Sequence, residues 1–238
     1  MKKSVLVLLS ISFFLVSCSK DDEASVNLST YDLSVIDYFK EVALGFEFGN
    51  ATRVTRRWKN DMNVFVGGSP TPELLTELDV IISEINELST TDFQIELVSD
   101  TLQSNYYIYF GSGDSYAEIF PSLSNLISSN FGLFSVFWNG SNQLFTGYMY
   151  VDIFRANETE QKHLLREELT QSLGLARDSH LYSESIFQQS FSTKVTEYAQ
   201  IDKDLIRLLY HPQMGIGFNE SQTDGILRRI LSAEKFVN

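Results

Sequence analysis

Between residues 166 and 179 the chain sets Glu167 and Gln171 one helical turn apart, places Glu168 beside the first, and ends the run on Gly174, Arg177 and Asp178. Residues i and i+4 share one face of a helix, so Glu167 and Gln171 would project together while Glu168 points to the neighbouring side. Two adjacent carboxylates and an amide can accept hydrogen bonds, hold a hard cation through oxygen, or supply a general base. A glycine at the end of such a run turns the chain back across the helix end. The bland reading of the same residues is a solvated helix face followed by a C-cap.

The spacing is that of the H-E-x-x-H helix of zinc peptidases, where two imidazoles one turn apart hold zinc and the intervening Glu polarises water. In the longer metzincin form a glycine turns the chain and a third ligand follows three residues later. On this chain Glu167 and Gln171 take the histidine places, Glu168 the base, Gly174 the turn and Arg177 the third ligand. A neutral amide is a poor zinc ligand and a guanidinium offers no lone pair, so zinc is disfavoured and no metal ligand set is assigned.

Three arrangements remain open for that space. His163, Glu167 and Gln171 run i, i+4, i+8, so a metal site could sit one turn earlier, completed by Asp178 or His180. Alternatively, Glu167, Glu168, Gln171 and Asp178 could gather calcium or another hard cation. With no metal, the Arg177 guanidinium could enter the vacated place and neutralise Glu167. Tyr210 and His211 are added as candidate oxyanion donors at the cleft. No G-x-S-x-G elbow, reactive cysteine or phosphate-binding glycine loop offers another route.

The downstream stretch resembles the ending of matrixins. Ser185, Ile186, Phe187 and Gln188 stand where an S-x-M-Y turn would, with Phe187 in place of methionine, and residues 198–210 resemble the final helix that follows. With the segments 39–49, 56–58 and 106–111, the chain resembles the bacterial domain-of-unknown-function family 2927 over roughly residues 32–220. That resemblance implies a zincin-like α+β fold with a Glu-Glu-x-x-Gln helix, and it implies no activity.

Residues 1–17 read as a lipoprotein signal: Lys2 and Lys3, an apolar run over 5–16, then Leu15, Val16, Ser17 and Cys18. The run is too short to span a bilayer, and Cys18, the only cysteine, would be acylated. Residues 19–23 resemble the acidic export tag of Bacteroidota lipoproteins, so the expected location is the outer membrane facing outward, with the periplasmic side as the alternative. Removing the signal shifts the formal charge from −13 to −15. Such acidity argues against nucleic acid and anionic lipid surfaces as partners. Attachment would rest on the acyl chains.

The elements that must position these residues follow from periodicity. A tether over 18–30 leads into one domain over 31–238, with an upper part to about 175 and a lower helical part beyond. A helix over 31 to about 47 would turn Leu33, Ile36, Phe39, Val42, Ala43 and Phe46 inward. A strand is expected over 56–66, then a helix capped by Thr71 with Pro72 first and Leu75, Leu78, Ile82, Ile85 and Leu88 inward. Strands over 93–98 and 105–111 precede a hairpin through 136–154, and Thr159 is expected to open the Glu-Glu helix. Further helices are expected near 199–210 and 223–235.

The fold class is thus α+β: a twisted mixed sheet, two long helices and a smaller helical C-terminal part. The expected function is that of a non-catalytic lipoprotein whose cleft and edge strand hold an extended peptide or protein, the aromatic hairpin 131–150 lining the groove. The alternative is a metal-dependent hydrolase using Glu167, Glu168, Gln171 and Asp178.

Overall fold

The computed structural model describes residues 28–47, 49–189 and 194–235. The expected signal, Cys18 and nearly all of the tether lie outside the described residues. Helix α1 (Thr30–Ala43) starts on a capping box, with the Asp32 N–H donating to Ser29 Oγ and the Ser29 N–H to the Asp32 carboxylate. It buries Val35, Ile36, Tyr38, Phe39 and Val42, whereas Leu33 faces solvent. The expected inward stripe was therefore rotated at its first turn, which the helix end leaves without a partner to cover it.

The expected single strand over 56–66 is two: β1 (Arg57–Trp58) and β2 (Met62–Gly68). Helix α2 (Pro72–Leu88) begins as its sequence dictates, with Pro72 at the first position and the Leu74 N–H donating to Thr71 Oγ1. Its buried face is Leu74, Leu78, Ile81 and Ile85, and Leu75 points outward. Replacing Thr71 with alanine should cost about 1 kcal/mol of stability, read as a lowered urea midpoint at unchanged slope. No change would show that the cap is replaced by solvent.

Strands β3 (Ile95–Val98) and β4 (Tyr106–Gly111) follow, then two short helices that periodicity did not reveal, α3 (Gly113–Ile119) and α4 (Ser124–Ile127). The hairpin is β5 (Gly132–Trp138) and β6 (Gln143–Asp152). Helix α5 (Glu158–Gln171) is capped by Asn157 rather than Thr159, because the Asn157 side chain accepts from two N–H groups while Glu160 reaches back. The chain ends in α6 (Gln200–Leu209) and α7 (Glu220–Glu234).

The sheet order is β1-β6-β4-β2-β3, all parallel, with β5 added antiparallel to β6. With helices α2 and α5 and the C-terminal helices, this is the expected α+β layout. One apolar core runs from α1 through the sheet to α7. Among the described residues no helix is long and apolar enough to cross a membrane.

Candidate functional site

Helix α5 is held beneath the sheet by side chains that anchor each of its turns. Arg166, 2% exposed, pairs with Glu77 at 2.9 Å and with Glu84 on α2, and its guanidinium lies 4.5 Å from the Tyr198 ring centroid. Thr170 Oγ1 meets Tyr198 at 2.6 Å. Beyond the helix, Ser172 accepts from the Trp58 indole at its carbonyl (2.9 Å) and pairs with Tyr106 through its hydroxyl. These contacts fix the face bearing Glu167, Glu168 and Gln171.

Below the helix end, Asp202 of α6 organises the turn over residues 185–188. Its carboxylate accepts from Ser185 Oγ at 2.6 Å and from the N–H groups of Ile186 and Ala199. Phe187 fills the core there, fully buried. The backbone of Ser179 is tied to Phe187 and Gln189, so the segment carrying Asp178 is brought back toward α5.

The result is a cavity of about 140 Å³ lined by Glu47, His163, Glu167, Glu168, Gln171 and Asp178, with the start of β5 forming its rim. Gln171 Nε2 donates to Asp178 Oδ1 at 2.5 Å. His163 Nδ1 lies 2.7 Å from the Val195 carbonyl, and its Nε2 lies 3.2 Å from Glu167 Oε2. The Val195 carbonyl can only accept, so Nδ1 carries a proton, and a carboxylate facing Nε2 favours a second proton there. Burial opposes that charge, but the Glu167 hydrogen bond and charge, with Val195 and Asp178, outweigh it and raise the pKa of His163.

The carboxylates shift upward as well, which for them disfavours the charged form. Burial, then the charges of Glu167, Asp178 and Glu47, push Glu168 well above the ordinary range, against the pull of the Phe134 N–H. Asp178 is pushed up to about 7 by burial, Glu167 and Glu47, in spite of the hydrogen bond from Gln171. Glu47, exposed overall but turned against the cleft mouth, is raised by desolvation and by Glu167. Among the described residues no three of His, Cys, Asp and Glu are grouped to hold a metal ion.

Several sequence expectations are corrected by these positions. The cation beside Glu167 is His163, and Arg177 makes no ion pair with it; Arg177 instead runs toward Gly45, whose added Cβ would lie 3.8 Å from Arg177 Cδ. Tyr210 is fully buried, stacked on Phe93 at 4.3 Å with its hydroxyl donating to the Leu173 carbonyl, so it is a core residue and not an oxyanion donor in the cleft. His211 accepts from the Gln213 N–H through Nδ1 and, like Gly174, Arg177 and His180, does not line the cavity. Gly174 turns the chain as expected, at φ +116°. Glu47 was missed, since no motif connects it with a helix more than a hundred residues later.

The rim is β5, whose outer side pairs with no strand among the described residues. Asp152 donates to the Phe131 carbonyl at 2.7 Å, which makes 131 and 152 a hydrogen-bonded pair; in this register the odd residues of β5 bond β6. The N–H and C=O groups of Gly132, Phe134 and Val136 therefore point away from β6; those of Gly132 are buried against α5 and the Phe134 N–H is taken by Glu168, which leaves the Phe134 carbonyl and the two groups of Val136 for a partner. Gly132 has no room for a side chain, because an added Cβ would stand 2.8 Å from Glu168 Oε1. A second cavity, of about 330 Å³, continues along the same edge between Phe46, Leu123, Leu126, Phe134, Trp138 and Tyr148.

A family model described as "Protein of unknown function (DUF2927)" matches residues 32–229. Two solved structures of myroilysin are similar at 12% identity and a TM-score of 0.39. One match covers 66% of this chain and 97% of that chain, the other 71% and 94%. No curated protein matches the sequence.

Proposed function

Since the chain belongs to the DUF2927 family of proteins of unknown function, we propose its role from the cleft itself: a lipid-anchored, outward-facing outer-membrane protein that binds an extended peptide without cleaving it. The observation that carries the non-catalytic half is the charge around Glu168. Peptide hydrolysis builds negative charge on the carbonyl oxygen, and donors or cations must meet it. Here the neighbours of Glu168 are the carboxylates of Glu167, Asp178 and Glu47, and the one imidazolium is engaged by Glu167 and Val195. Glu168 stands where a base could act, without an electrophile among the described residues.

Binding is supported by the free edge of β5. The outward carbonyl of Phe134 and the outward N–H and carbonyl of Val136 are the donors and acceptors that strand addition uses, and the two cavities beside them can take alternate side chains. The anchor rests on the sequence of residues 1–23 and on the acylation of Cys18.

Val136→Pro tests the edge, because proline deletes one outward N–H and spares the ladder to β6. Binding of capped decapeptides, followed by fluorescence anisotropy, should weaken at least ten-fold while the unfolding transition persists. Equal binding by the variant would remove the strand-addition reading. Mass spectrometry of the same peptides after long incubation should show them intact; chelator-sensitive cleavage abolished by Glu168→Gln would establish the hydrolase instead.

A further inference from the structure

We propose that the peptide held along β5 carries a lysine or arginine whose cationic head enters the cleft between Glu47, Glu168 and Asp178, and a large apolar side chain about four residues away that fills the aromatic groove. This rests on the strand-addition reading and gives it a ligand class. The two cavities share Glu47, Leu133 and Phe134 and so flank one continuous stretch of β5. Gly132 marks the acidic end and Val136 the apolar end, a separation of roughly 13 Å at about 3.3 Å per residue.

Charge decides what enters the first cavity. Five carboxylates line it, and the one basic side chain lining it among the described residues, His163, already spends both nitrogens on Glu167 and Val195. Glu168 is only 8% exposed, has no cationic partner among the described residues, and aims at the rim beside Gly132 and Phe134 where a paired strand would present a side chain. A buried carboxylate without a counter-ion is costly, and a long cationic side chain reaching in from the edge would offset it. An acidic or apolar side chain at that register would add to the cost.

The apolar end is preformed. Phe46 stacks on Trp138 at 5.1 Å, and the Arg56 guanidinium packs 4.4 Å over the Trp138 ring, which holds that wall upright. Trp138 and Phe137 remain 37% and 43% exposed, on the strand that the peptide would cover.

The test uses acetyl- and amide-capped decapeptides of Thr, Val and Ala carrying lysine, norleucine or glutamate at one position and phenylalanine or alanine four residues to either side. Titrated with the full chain, the lysine–phenylalanine peptide should bind at least ten-fold more tightly than its norleucine or glutamate counterpart. That preference should shrink to within two-fold in Glu47→Gln/Asp178→Asn, and phenylalanine to alanine should cost several-fold. If lysine, norleucine and glutamate peptides bind alike and all are lost in Val136→Pro, the basic-residue inference is overturned while strand addition stands. If no peptide binds, both are overturned.

Discussion

Gly174→Ala should lower the stability of the fold by about 4 kcal/mol, seen as a large drop in the urea midpoint at constant slope. At φ +116° an alanine is strained before any contact is considered. Its Cβ would also stand 1.9 Å from the Arg56 carbonyl oxygen, a backbone atom with little freedom to retreat. Thr55 is bonded through its N–H to Phe218 and through its carbonyl to Gly217, while the Arg56 guanidinium donates to the Thr52 and Val54 carbonyls. The turn at 174 lets Leu175 and Ala176 enter the core and brings Asp178 back to Gln171, so any survivor should also have a loosened cleft. A variant within 1 kcal/mol of the parent would mean that the helix end can reseat, and the geometry argued for Asp178 would fall with it.

Gly174 was also among the most legible residues, because a glycine after an amphipathic run has few other uses. The same holds for Thr71 and Pro72, where capping chemistry is local and four residues decide it. Where the partner lies far along the chain, legibility ends. Glu47 enters the cleft from the loop after α1, and nothing in its neighbourhood distinguishes it from a solvated acid.

Arg177 illustrates a subtler failure. Charge balance calls for a cation near Glu167, but the nearest arginine in sequence leaves the helix end in another direction. His163, one turn earlier on the same helix, was already spaced to reach Glu167; what the sequence could not show was the Val195 carbonyl, which commits its second nitrogen and so fixes its charge. Tyr210 and His211 were misread because a terminal Tyr-His-Pro looks the same whether it faces a cleft or, as Tyr210 does, stacks on Phe93 in the core. The inward faces of α1 and α2 were shifted at Leu33 and Leu75, since a helix with apolar residues on adjacent rows has more than one stripe to offer.

The cleft should make the protein less stable as the solution turns alkaline, and Glu168→Gln/Asp178→Asn should abolish most of that loss. Asp178 titrates near 4 in an unfolded chain and at about 7 in the fold, so the folded state binds its proton more tightly. Its contribution is full below pH 4, declines across the interval and is gone above about 7, on the order of 3 kcal/mol in all. Glu168, raised by burial and by the same neighbours, acts with the same sign. So does His163, whose raised pKa gives stability that is present below 6.5 and lost as pH rises through the folded value. Asp202, raised to about 6 by burial, adds to the trend and provides a control, because it lies at the α6 turn and not in the cleft.

Asp32, Asp152 and Asp224 are lowered by their hydrogen bonds and ion pairs, so they supply stability above the ordinary carboxylate range that disappears only in acid. Thermal melts from pH 5 to 8 should therefore fall steeply for the parent. The double amide variant should fall much less and should be the more stable of the two at pH 8. If both follow the same profile, the carboxylates of the cleft are not desolvated in the way the geometry requires. A variant that gains stability while losing its preference for the lysine peptide would show that the charge is kept for binding at the expense of the fold, as expected of a functional site.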